Sequence, residues 1–139
     1  MRFIASVLIA GLLVLGPAHA AGDLVVITNA GNGVEKLTRD EVVNIFMGRY
    51  KKLPSGMAAL PVDESGEKAA FYRALLGKEL PEIQSYWARL VFSGQGSPPR
   101  QMDNADEVLE TIINNKGAIG YVDKKKVSSR VKVLLDLSR

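Results

Sequence analysis

The sequence predicts a layered α/β domain, and three observations carry that prediction. Short runs of β-branched and other apolar residues alternate with segments whose apolar residues recur every three or four positions. Glycine, proline and asparagine gather between these segments and punctuate them. The first helical segment is also preceded by a capping signature, which fixes where it starts.

Leu24-Val25-Val26-Ile27-Thr28 is a short β-branched run closed by Asn29-Ala30-Gly31-Asn32-Gly33, so it reads as a buried strand and a loop. Thr38-Arg39-Asp40-Glu41 matches the capping box, in which the Thr hydroxyl and the Glu carboxylate each satisfy an amide of the first turn. Val42, Ile45 and Phe46 form the apolar face of that helix, and Gly48 ends it. A basic loop follows, residues 49–56, and Ala58-Ala59-Leu60-Pro61-Val62 reads as a second strand whose proline belongs near an edge. Asp63-Glu64-Ser65-Gly66-Glu67 leads into a helix with Ala70, Phe71, Ala74 and Leu75 on one face and Gly77 at its end. Pro81 suits the first turn of the next helix, which carries Ile83, Tyr86, Trp87, Leu90, Val91 and Phe92.

Residues 93–100, rich in Gly, Ser and Pro and ending in Arg100, read as irregular. A helix then runs from Asn104 through Val108, Leu109, Ile112 and Ile113 to Asn114-Asn115. Ala118-Ile119-Gly120-Tyr121-Val122 is a third strand and Val131-Lys132-Val133-Leu134-Leu135 a fourth, with the charged Asp123-Lys124-Lys125-Lys126 between them. Alternation places Lys132 on the outer side of that last strand, and the lysine cluster reads as a solvated face. Trp87, Tyr86, Phe92 and Phe71 read as core at helical spacing rather than as an aromatic ligand box.

Residues 1–20 read as a cleavable secretory signal peptide. Arg2 is followed by an apolar run over residues 3–15, with Ser6 its one hydroxyl residue, then Gly16-Pro17 and the small-residue motif Ala18-His19-Ala20. The run is shorter than the about 20 residues that span a bilayer. Residues 21–139 then form a single domain. Losing Arg2 from the 18 basic residues leaves 17 against 15 acidic ones, a net +2 that calls for no nucleic-acid partner. His19 is the one histidine and cysteine is absent. The mature chain therefore holds no Ser-His-Asp or Cys-His system and no His/Cys metal site. No cofactor is implied, and Asp63, Glu64 and Glu67 are too close in sequence to read as a hydrolase pair. No enzyme is indicated.

Several phrases, in order, resemble a known family: Leu37-Thr38-Arg39-Asp40-Glu41 with Ile45-Phe46-Met47-Gly48, Pro61-Val62-Asp63-Glu64-Ser65-Gly66, Phe71-Tyr72, and Gly117-Ala118-Ile119-Gly120-Tyr121-Val122. Together they resemble the phosphate-type periplasmic solute-binding proteins. The resemblance implies an α/β fold, a single lobe of a type II periplasmic binding protein with a mixed sheet of about four or five strands flanked by helices. It also implies a non-catalytic role in phosphate uptake or sensing, with a membrane permease or a sensor protein as partner. With no cysteine to carry a lipid, the protein is expected free in the periplasm. The chain matches only one lobe, so another chain or a second copy, as a homodimer, would complete the cleft.

The family's Gly-Ser-Gly-Thr-Arg phosphate loop corresponds to Glu64-Ser65-Gly66-Glu67-Lys68. The resemblance points to Ser65, Gly66 and Lys68 as ligand-binding residues, with Glu67, which departs from the family's threonine, in the same loop; Arg100, after Pro98-Pro99, reads from its own surroundings as an exposed loop arginine or as a further anion contact. Helix amides near Gly66 could receive an oxyanion. Glu67 stands where it competes with one, and lysine for arginine keeps the charge but loses the planar fork. The same residues also read as a plain capped helix, with Ser65 as N-cap. The alternative function is a lobe that no longer binds phosphate and serves as a protein-interaction or sensor module.

Overall fold

The computed structural model describes Gly11 and residues 23–138. The signal-peptide reading of residues 1–20 and the start of the domain at residue 21 thus lie, Gly11 apart, outside the described residues. Nine main elements follow in the order β1 (Leu24–Asn29), α1 (Arg39–Phe46), β2 (Leu60–Glu64), α2 (Lys68–Leu76), α3 (Leu80–Phe92), β3 (Arg100–Met102), α4 (Ala105–Asn114), β4 (Ala118–Asp123) and β5 (Val131–Asp136). Among the described residues no helix is long and apolar enough to cross a membrane.

The strands form one mixed sheet in the order β3-β2-β4-β1-β5. β2 runs parallel to both β3 and β4, while β1 runs antiparallel to β4 and β5. Strand alternation gives the sheet two buried faces. Leu24 and Val26 of β1, with Ile119 and Tyr121 of β4, pack against Val42, Phe46, Phe71 and Trp87 of α1, α2 and α3. Val25, Ile27, Ala118 and Val122 face the other way, onto Val108 and Ile112 of α4. Gly120 lets α4 come close, since a β-carbon there would press on Val62 at 2.8 Å and Val108 at 3.1 Å.

The direction of travel explains why the helices divide. From β2 the chain moves outward to β3 through α2 and α3, and from β3 it returns inward past β2 to β4 through α4. Parallel crossovers are right-handed, so opposite directions of travel put the two connections on opposite faces. The carboxyl ends of β2 and β3 therefore send their chains apart, the arrangement beside which open α/β sheets take ligands.

The capping box forms as predicted. Thr38 Oγ1 accepts from the Glu41 amide at 3.2 Å, and Glu41 Oε1 accepts from the Thr38 amide at 3.0 Å. Three local expectations are corrected. Residues 100–102, read as the end of a loop and the approach to a helix, form the edge strand β3, because Val62, Asp63 and Glu64 offer it a free parallel ladder. Phe92, read as core, is 97% exposed and Val91 is 52% exposed, since α3 buries its Ile83 and Trp87 face and its last turn carries these two side chains away from the core. Simple alternation fails in β5. The pairing shifts between Val26 and Ile27, so Leu134 turns into the core and Val133 is 38% exposed. Pro61 sits in an interior strand, but it lies before the β3 ladder begins at Val62, so its missing N–H costs that ladder nothing.

Gly117 is fixed by backbone rather than by conformation: a β-carbon there would overlap the Ala58 carbonyl oxygen, in a stretch where the Leu60 amide donates to the Gly117 carbonyl at 2.9 Å. Gly117→Ala is expected to lower stability by about 1 to 3 kcal/mol. Urea unfolding checks this as a lower midpoint at unchanged slope.

Candidate functional site

The carboxyl ends of β2 and β3 hold most of the sequence-predicted site. β2 ends at Glu64, residues 65–67 turn, and α2 begins at Lys68. The Ser65 amide donates to the Met102 carbonyl at 2.9 Å and its hydroxyl donates to the same oxygen at 3.1 Å, so the turn is stitched to the end of β3. Ser65 Oγ also accepts from Gln101 Nε2 at 3.0 Å, and Lys68 Nζ donates to Gln101 Oε1 at 3.4 Å. Lys68 Nζ lies 3.9 Å from Asp63 Oδ2. One connected polar group thus runs from Ser65 through Gln101 and Lys68 to Asp63.

Asp63 closes this group from within. It is 1% exposed, and its carboxylate accepts from Tyr72 Oη at 3.0 and 3.2 Å and from Tyr121 Oη at 2.9 Å. Tyr121 Oη accepts in turn from the Glu64 amide at 3.2 Å. The rings are held by other aromatics: Phe71 stacks on Tyr121 with centroids 3.7 Å apart and packs edge-on to Tyr72 at 5.1 Å. Burial raises the Asp63 pKa above its ordinary value, outweighing the Tyr121 hydrogen bond, the Lys68 charge and the Tyr72 hydrogen bond. Burial and the Asp63 charge push both tyrosine hydroxyls far up, so they stay protonated as donors.

The predicted residues divide. Ser65 and Lys68 are brought together through Gln101. Gly66 lies exposed between them, with open space where a β-carbon would stand. Glu67 is the N-cap of α2, but no side chain caps that helix, so the reading of Ser65 as N-cap is corrected: its hydroxyl is turned to β3 instead. Arg100 is not brought to the group. It pairs with Val62 and shares the α4 side of β3 with Met102, whereas Gln101 faces Lys68. Asp63, Tyr72, Tyr121 and Gln101 were not picked out as a site. The signal in the sequence was an aspartate ending an apolar strand, with tyrosines in two otherwise apolar elements. The loop at 29–33 is tied internally: Asn32 Nδ2 donates to Thr28 Oγ1 at 2.7 Å and to the Lys116 carbonyl at 2.9 Å, and Asn29 Nδ2 reaches the end of α4. It is built as a structural turn. Among the described residues no three His, Cys, Asp or Glu side chains gather as a metal site.

No family model matches the chain, and no curated protein matches it in sequence. Solved structures do match in fold. A protein assigned as a phosphate ABC transporter substrate-binding protein from Clostridium perfringens, solved with bound phosphate, aligns at TM-score 0.65 and 19% identity, over 81% of this chain and 44% of that one. An ABC-type phosphate transport receptor from Vibrio cholerae aligns at 0.61 and 16%, over 81% and 45%. PstS from Borrelia burgdorferi aligns at 0.57 and 13%, over 81% and 46%. The protein has the fold of a phosphate-transport substrate-binding protein. More narrowly, it has the fold of one lobe, and it spans less than half the length of these structures.

The raised Asp63 pKa sets the sign of a pH effect. Just above pH 3.8 an unfolded aspartate has lost its proton while the folded one still holds it, so the folded state binds more protons and stability falls as pH rises through that window. Asp63→Asn has no such titration. The stability of the parent relative to Asp63→Asn is expected to fall as pH rises above 3.8 and until the folded carboxyl has also lost its proton, read from urea midpoints at each pH. A difference that is constant or grows with pH contradicts the assignment.

Proposed function

We propose that the protein is an exported, non-catalytic oxyanion-binding lobe that takes phosphate or a similar anion at the carboxyl ends of β2 and β3. The observation that carries the reading is the position of Ser65, Gly66, Glu67 and Lys68: they span the join of a strand's carboxyl end and a helix amino end, in a fold shared with phosphate-transport receptors. The first-turn amides of α2 point outward without helical acceptors, and the helix dipole adds positive potential there. Lys68 supplies a full charge, and the open side of Gly66 leaves room for an anion to reach the backbone.

Two features set the affinity low in the single lobe. Lys68 is shared with Asp63 and Gln101, so contact with an anion must compete with both. Glu67 places a like charge at the same helix end, which costs about 1 to 4 kcal/mol depending on the local dielectric. A second lobe, from another chain or a second copy, would exclude water and strengthen these contacts. The role is then uptake or sensing in the periplasm, through a permease or a sensor protein.

A second reading is favoured by the Ser65 hydroxyl, which already has both an acceptor and a donor in Met102 and Gln101. On that reading the loop is closed to anions and the lobe serves as a protein-interaction or sensor module. Calorimetric titration with phosphate separates the two. Binding at millimolar phosphate or tighter is expected, and neither heat nor thermal shift in that range sinks the first reading for the isolated lobe. Glu67→Thr is expected to tighten binding by about fivefold or more, the lower end of the repulsion it removes. An unchanged or weaker response contradicts the competition argument.

A further inference from the structure

The helical layer holds a concavity whose lining includes none of the residues at the β2–β3 edge. Its volume is about 480 Å³, within the about 300 to 1,000 Å³ typical of small-molecule sites. It lies where three helix ends meet. Gly77, at φ +66°, ends α2 and turns the chain into α3. The Tyr86 hydroxyl donates to the Met47 carbonyl at 2.6 Å and so pins α3 to the end of α1. Met47, Leu76, Ile83 and Tyr86 give the cavity its apolar lining.

The charges around it are not equivalent. Arg73 holds Glu79 through two bonds, at 3.0 and 2.9 Å. Lys78 pairs with Glu82 at 3.3 Å, and Arg39 is spent on the carbonyls of Ala74 and Leu75. Arg49 and Arg89 line the cavity as well, yet neither has a carboxylate partner among the described residues; Arg49 reaches only Asn44 Oδ1, at 3.3 Å. Both follow or end a helix, where a cation favours the dipole. That accounts for each charge separately, but not for the two lining one cavity, whose other charged residues, Lys78 and Glu82, pair with each other.

We propose that this cavity binds a small amphipathic carboxylate, an apolar chain or ring ending in one anionic head, with the body on Met47, Leu76, Ile83 and Tyr86 and the head on Arg49 and Arg89. A guanidinium fork fits a carboxylate with two parallel bonds, and an apolar body excludes the water that would weaken them. Inorganic phosphate has no such body, so this site is independent of the oxyanion reading.

Trp87 provides the readout. It is the only tryptophan, and its ring stands edge-on to Tyr86 at 5.3 Å. The purified protein is titrated with decanoate below its micelle concentration, by Trp87 fluorescence and by calorimetry, with decanol and phosphate as controls. Expected are saturable one-to-one binding of decanoate, decanol at least about tenfold weaker, and about tenfold weakening in Arg89→Gln and in Arg49→Gln. Added phosphate should leave the decanoate affinity unchanged. Absence of saturable binding, equal binding of decanol, parent-like affinity in both arginine variants, or displacement by phosphate overturns the proposal.

Discussion

A carboxylate sealed inside a fold has to be met by donors, and Asp63 is met by two tyrosines from different elements. Tyr72 comes from α2 and Tyr121 from β4, so the strand that carries Asp63 is joined at one point to the helix that follows it and to its neighbour in the sheet. Each hydroxyl depends on the aromatic packing behind it, and Phe71 serves both rings. Breaking one partner of such a group leaves a buried polar atom unmet, which costs about 1 to 3 kcal/mol, so the network and the core around it stand together.

The same constraint reaches the surface. Asp63 draws Lys68 toward the interior, Lys68 meets Gln101, and Gln101 meets Ser65. The outer turn of the site is therefore ordered from below, by a charge that no solvent reaches. An anion arriving there meets a lysine with two prior partners and a serine already engaged on both its donor and acceptor sides. Chain direction decides where this turn lies, because the opposite crossovers from β2 and β3 separate the chain at that edge of the sheet.

The two candidate sites illustrate different chemistry from one composition. A chain with no cysteine and one histidine has few ways to do covalent work, but it has many cations and apolar residues. At the carboxyl ends of β2 and β3 the cation is tied to a buried acid. At the ends of α1 and α3 Arg49 and Arg89 have no acidic partner among the described residues and line a cavity with Met47 and Tyr86. Pairing, more than net charge, separates a satisfied surface from one able to take an anion.

Much of the fold was legible because its signals are local. The 24–28 run, the Thr38–Glu41 reciprocal cap and the apolar face of α4 follow from residues a few positions apart, and the structure keeps all three. The ordered phrases from Leu37 to Val122 were enough to point to the lobe that the solved structures match. What the sequence could not carry was pairing at a distance. β3 exists only because β2 offers three residues a ladder, and the exposure of Phe92 depends on how far along α3 the core reaches. Asp63 and Tyr121 stand 58 positions apart, and nothing near either one announces the other. Composition and short-range pattern thus determined the layers, the caps and the absence of cysteine and histidine chemistry after residue 20. Tertiary contact alone decided which face Arg100 takes, which cations are paired, and that the centre of the site is a buried aspartate, because those depend on burial and strand register.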